Sequence, residues 1–99
     1  MACRVILTPQ SRSDLRQIVI FIARHNPARA RSFGYELVDR ALAIGVFPES
    51  GRIVPEIGDP AVREVIHGPY RIIYEIFPAM IYILRFWHGA RGVPVLESR

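Results

Sequence analysis

Three arginines, Arg63, Arg71 and Arg85, lie in three successive apolar segments toward the C-terminal end of the chain. A guanidinium keeps its charge at any physiological pH and grips phosphate or carboxylate through a two-pronged fork. Gathered on one sheet face, the three would suit an RNA backbone or an acidic peptide. Left apart, they are solvated cations paired with Glu64 or Glu75. Trp87 and the tyrosines of the same segments add stacking surface that a merely solvated face does not need. His88 closes the last segment and His67 precedes a turn. Histidine titrates near neutrality and can move a proton in phosphodiester cleavage. A lone histidine at a strand end, however, is more often a hydrogen-bonded structural residue. His67-Gly68 and His88-Gly89 invite a metal reading, but no third ligand lies at a suitable spacing, and no metal is expected. Glu56, in the run Gly51-Arg52-Ile53-Val54-Pro55-Glu56, could act as a base if its loop folds over the arginine face. Loop carboxylates are more commonly solvated. No serine nucleophile elbow, phosphate-binding glycine loop or zinc signature occurs, and no cofactor is expected.

The elements that must position these residues follow from spacing. Cys3 to Leu7 is a strand candidate, with Cys3 a core residue. Thr8-Pro9 starts a helix, the hydroxyl capping free N–H groups and the proline taking the first helical position. Leu15, Ile18, Val19 and Ile22 then recur at helical spacing, with Arg12, Arg16 and Arg24 elsewhere on the cylinder. Asn26-Pro27 repeats the device and opens a second helix, with Ala30, Phe33, Leu37, Ala41 and Ile44 as its stripe. It is expected to end before Pro48, spanning roughly 31 Å. Residues 48–60 hold Pro48, Gly51, Pro55, Gly58 and Pro60, which predicts a loop. Three strand candidates follow, Val62–Ile66, Tyr70–Phe77 and Met80–Trp87, and short turns make them an antiparallel meander. An odd-length turn such as Phe77-Pro78-Ala79 would put Arg71 and Arg85 on one face. The order is β-α-α-β-β-β, an α+β sandwich with a helical hairpin on one face of a mostly antiparallel four-stranded sheet. Strand parity places the even residues of the last two strands against the helices. Arg63, Val65, His67, Arg71, Ile73, Glu75, Ile83, Arg85 and Trp87 are expected to face outward.

Composition bounds the rest. Ninety-nine residues, 51 % of them hydrophobic and 22 % charged, predict one folded domain over 1–99. All thirteen cations are arginines and only nine carboxylates oppose them, for a net charge of +4. Such a basic domain commonly meets something acidic, whether nucleic acid or a protein partner. The longest apolar stretch, Ile18 to Ala23, falls far short of the roughly 20 residues that cross a bilayer. A single cysteine, Cys3, can neither close an internal disulfide nor complete a cysteine-based metal site, so a reduced cytoplasm is expected.

Read together, several runs resemble the RelE/ParE toxin superfamily of prokaryotic toxin–antitoxin modules. They are Thr8-Pro9 with Asp14-Leu15 and Ile18, Phe47-Pro48-Glu49-Ser50-Gly51-Arg52, Val62-Arg63-Glu64, Gly68-Pro69-Tyr70-Arg71-Ile72-Ile73-Tyr74, and Ile83-Leu84-Arg85-Phe86-Trp87-His88-Gly89-Ala90-Arg91. The resemblance covers nearly the whole chain and keeps the order of its parts. It implies a small α+β toxin that a cognate antitoxin wraps and neutralises in a hetero-oligomer. RelE-like members are metal-independent, ribosome-dependent mRNA endonucleases; ParE-like members poison DNA gyrase. In the nuclease branch Arg71 matches a functional arginine and Arg85 a basic last-strand position. Nuclease members also tend to carry lysines before the second strand and a C-terminal functional tyrosine or histidine–tyrosine pair. Here the loop has only Arg52, no lysine occurs, no tyrosine follows Tyr82, and His88 stands one residue further from Arg85 than that pattern wants. The resemblance therefore leans toward ParE. On that reading a target-binding patch is expected from Arg63, Arg71, Arg85, Trp87, His88 and Arg91, since the C-terminal end carries the most arginine and aromatic surface, and no catalytic residue is favoured. The alternative is a RelE-like ribonuclease, with Arg71 and Arg85 on the scissile phosphate and His88 or Glu56 moving the proton. The partners implied are an acidic, amphipathic antitoxin segment and either gyrase or the ribosome with its message.

Overall fold

A computed structural model describes residues 2–96. Strand β1 (Arg4–Leu7) leads into helix α1 (Pro9–Ala23) and helix α2 (Pro27–Ala43). A short 3-10 turn (Pro48–Ser50) precedes β2 (Arg52–Ile53), β3 (Val62–His67), β4 (Tyr70–Ile76) and β5 (Met80–His88), and a second 3-10 turn (Gly89–Arg91) follows. Both helices begin as their sequences dictate, on a side-chain cap followed by proline: Thr8 accepts from Ser11 N–H and Asn26 from Arg29 N–H. Caps of this kind are each worth about 1 kcal/mol. Thr8 has a second task. Its N–H and hydroxyl both donate to the Ile83 carbonyl, stitching the start of α1 to β5 where β1 ends. α2 stops at Ala43, short of the expected length, because the Gly45 carbonyl turns out of the helix to accept from Cys3 N–H. No helix among the described residues is long and apolar enough to cross a membrane.

The sheet has five strands in the order β1-β5-β4-β3-β2, with β1 parallel to β5 and every other pair antiparallel. The fifth strand is a correction to the expected four. It is β2, two exposed residues inside the expected loop, too short to show any alternation. The helical hairpin covers one face of the sheet. Phe33, Leu37, Ala41 and Ile44 of α2 and Ile18 of α1 meet Val65, Tyr70, Ile72, Tyr74, Ile81, Ile83 and Phe86.

Parity needs two further corrections, both set by turns. Gly68 (φ +56°) and Pro69 close the β3–β4 hairpin as a two-residue turn, a geometry that wants glycine first. Two-residue turns pair residues of opposite parity, so Arg63, Val65 and His67 lie on the helix face instead of facing outward. The β4–β5 turn is also two residues, Pro78-Ala79, with Phe77 N–H donating to Met80 O at 2.9 Å, and is not the expected odd-length turn. Ile81 and Ile83 therefore face the helices, and Tyr82 and Leu84 face outward. A β-bulge between Ile73 and Tyr74 then slips the register by one residue, so that Ile73 opposes Arg85 and Arg71 opposes Trp87. Beyond the bulge Phe86 faces the helices and Trp87 faces outward, as expected.

Candidate functional site

The outward side of the sheet is a second small core. Val54, Val62, Ile73, Leu84 and Trp87 are buried there, with Tyr82 and Leu96 packed against them. The segment after β2 roofs one flank and the C-terminal tail roofs the other. Arg71 sits on this side at the β3–β4 pair. Its Nη1 and Nη2 donate to Glu56 Oε2 and Oε1 at 2.9 and 2.8 Å, and its Nε donates to Glu64 Oε1. Glu64 is fully buried and also accepts from Arg52 Nε at 2.6 Å. Pairing with Glu64, one of the two sequence alternatives, therefore holds for Arg71, and Glu56 folds over the face to close the other edge of its fork.

The hydrogen bonds from Arg71 are the main reason that the Glu56 carboxyl falls from its ordinary 4.5 to about 2. The same contacts raise Arg71 above its ordinary value. A lowered carboxyl stabilises the fold fully above about 4.5, and that contribution disappears as pH falls through about 2. Glu56→Gln should consequently flatten the acid limb of the stability-versus-pH curve across that interval. An unchanged limb in urea titrations at stepped pH would mean that the contact does not form in solution.

Arg85 is held differently. The bulge lets it reach past the free edge of β5 to α1, where Nε and Nη2 clamp Asp14 Oδ2 and Oδ1 at 2.7 and 2.8 Å. Asp14 also accepts from Phe86 N–H at 3.1 Å, and Arg85 Nη1 donates to Val95 O at 2.7 Å. Both side chains of this pair are more than nine-tenths buried. Arg85 and Arg91 lie over the Trp87 ring at 4.9 and 4.0 Å, and the indole N–H donates to Gly92 O. Arg63, on the other face, donates to the Pro60 and Gly51 carbonyls. His67 likewise faces inward, 3.0 Å from Glu36 Oε1 and against Phe33. The arginines thus do not form one open cluster.

Arg91 and His88 remain accessible. The His88 ring accepts from Ala90 N–H at Nδ1, which assigns the proton of the neutral ring to Nε2, and stands edge-on to Tyr70 at 5.1 Å. The two residues border a pocket of about 150 Å³ between α1 and the end of β5. A second, larger groove of about 790 Å³ lies where the end of α2 meets β1 and the β4–β5 turn, lined by Cys3, Val46, Phe47, Ile76, Phe77 and Pro78. Among the described residues no three His, Cys, Asp or Glu side chains are grouped to hold a metal ion. Asp14 is the organising residue that sequence reasoning passed over. The available signal was its place on the stripe of Ser11 and Ile18, the buried side of α1.

A helical hairpin on one face of a five-stranded mixed sheet, with Arg63, Arg71 and Arg85 bonded to the protein's own groups, defines a small basic two-layer α+β protein. The family profile of the ParE toxin of type II toxin-antitoxin systems, parDE, matches residues 5–93, and the chain belongs to that family. Among solved structures, the fold is shared by a chain from the chromosomal ParDE TA system of P. aeruginosa. That chain is 19 % identical, with a TM-score of 0.74 over 88 % of this chain and 96 % of that one. None of the curated proteins compared with the chain matches it.

Proposed function

We propose that this toxin poisons DNA gyrase by binding it, without catalysing a reaction, and that an acidic, amphipathic antitoxin segment neutralises it in a cytoplasmic hetero-oligomer. One observation carries the choice against RNA cleavage. The two arginines that a RelE-like ribonuclease would set on the scissile phosphate are already bound to protein carboxylates, Arg71 to Glu56 and Glu64, and Arg85 to Asp14. An incoming phosphate would have to displace the buried Asp14 from Arg85, and both the fully buried Glu64 and the more exposed Glu56 from Arg71. Glu56, the alternative proton carrier, is held far below the range of a useful base.

Contact with gyrase falls to the accessible C-terminal patch. There Arg91 is exposed, His88 is half-buried, and the buried Trp87 is the platform under Arg91. Arg71 and Arg85 contribute by shaping that surface, whereas Arg63, bonded to the Pro60 and Gly51 carbonyls on the other face, lies apart from it. The antitoxin segment takes the apolar groove beside Phe47, which is 71 % exposed, and the net charge of +4 steers the acidic segment toward it.

The test sets the purified chain against two systems, gyrase with supercoiled plasmid and translating ribosomes with a defined message. Accumulated gyrase–DNA cleavage complexes with intact message are expected. Arg91→Ala should weaken that effect by a graded amount, on the order of 1–3 kcal/mol for an interface anchor. Message cut at the ribosome while gyrase keeps its activity would overturn the reading, and a loss of 10²-fold or more in Arg71→Ala would then mark a catalytic group.

A further inference from the structure

The pocket between α1 and the end of β5 has a composition that the fold itself does not require. Its floor is the buried Phe86 and Tyr70, and at its mouth Phe21 leaves 58 % of its surface in water. The pocket is an open groove of about 150 Å³ rather than an enclosed cavity, so a ring would lie against that floor with one side still toward water. The polar rim is cationic. Asp14 lines the pocket, but both of its oxygens are engaged by Arg85 and Phe86 N–H, so its charge is already matched. Arg91 is held by the Trp87 ring and pairs with no carboxylate among the described residues. His88 adds an Nε2–H donor, since its other nitrogen accepts from Ala90. An aromatic floor with a cationic rim, and no free carboxylate among the described lining residues, selects one kind of guest, a flat ring carrying or adjoining a carboxylate.

We propose that this pocket is an anchor site for an aromatic side chain next to an acidic one on a protein partner. The ring would enter between Phe21 and Tyr70, and the carboxylate would meet Arg91 and His88. Aromatic and arginine side chains are among the residues most enriched at interface hot spots. The occupant is the target protein assigned above to the patch of Arg91 and His88, and the proposal rests on that reading; the antitoxin segment keeps the Phe47 groove.

Phenylacetate is the probe, because it carries ring and anion together. The sole tryptophan, Trp87, lies under Arg91, so its emission reports any movement of that guanidinium. Titration should give saturable binding in the millimolar range, with amide shifts at Gln17, His88 and Ala90. Acetate and benzylamine should bind at least about tenfold more weakly, a difference of about 1.4 kcal/mol. Arg91→Gln and Phe21→Ser, both at exposed positions, should each lower phenylacetate affinity by a similar factor. Equal binding of benzylamine, equal binding of acetate, shifts confined to the Phe47 groove, or affinity unchanged in both variants would each overturn the assignment. If the probe fails to bind while gyrase is still poisoned, only the pocket assignment falls. If the probe binds and gyrase is untouched, the pocket stands and the target reading falls.

Discussion

Asp14→Ala should cost about 3–5 kcal/mol of folding stability, because it removes one partner of a buried ion pair and strands the other. Arg85 would keep a single acceptor, Val95 O, and Phe86 N–H would lose its own. For a domain of this length the loss should lower Tm by roughly 12 °C or more. Domains have only about 5–15 kcal/mol in total, so the variant should sit near the edge of folding at 37 °C. The penalty comes from an uncompensated charge rather than from the value of the pair. A second variant separates the two: Asp14→Leu with Arg85→Met replaces both partners by apolar groups and should recover at least half of the loss. Urea unfolding of the two variants settles the matter. A cost below about 1 kcal/mol in Asp14→Ala would mean that water reaches the pair.

Tyr74→Phe should cost about 2–4 kcal/mol, again through groups left without partners. The Tyr74 hydroxyl donates to Pro48 O at 2.7 Å and accepts from Gly51 N–H at 3.0 Å, inside the helix-facing core. Burial pushes the phenol above its ordinary value, so it stays protonated and keeps donating at physiological pH. Each buried group left unpaired costs about 1–3 kcal/mol. Gly51 makes the arrangement possible, since a Cβ there would sit 2.5 Å from the Tyr74 oxygen and 2.6 Å from Glu64 O. The loss should therefore be accompanied by faster amide exchange at Gly51 and in β2, which this bond holds in place. Global destabilisation with unchanged protection at Gly51 would contradict that account.

Much of the architecture was legible in the residues. Thr8-Pro9 and Asn26-Pro27 mark both helix starts, and the apolar period marks the faces that pack. β4 shows its inward face directly, because Tyr70, Ile72 and Tyr74 alternate with Arg71 and Glu75. β3 and the first half of β5 do not, since their faces are fixed by turn length and by a bulge. Apolar residues on both sides of β5, such as Ile83 inward and Leu84 and Trp87 outward, leave no alternation to betray the slip. The fate of the arginines was hidden for a related reason. Arg71 has a carboxylate seven positions away, within reach of a hairpin, whereas the partner of Arg85 lies 71 positions upstream on a helix. A contact of that span depends on how the first helix crosses the last strand, which no local pattern records.

The hydrogen bond from Thr8 to Ile83 joins positions 75 residues apart, and among the described residues β1 finds its one strand neighbour in β5. At a synthesis rate of about 5–20 residues per second, β1 waits roughly 4–15 s for that neighbour to be made. The end of β5 and the segment that roofs Trp87 are made well after both helices. Long-range closure of this kind also slows folding after release. During synthesis the emerging chain can offer its helical hairpin while its C-terminal patch does not yet exist. A partner that recognises the hairpin side can engage before the target-binding side is formed.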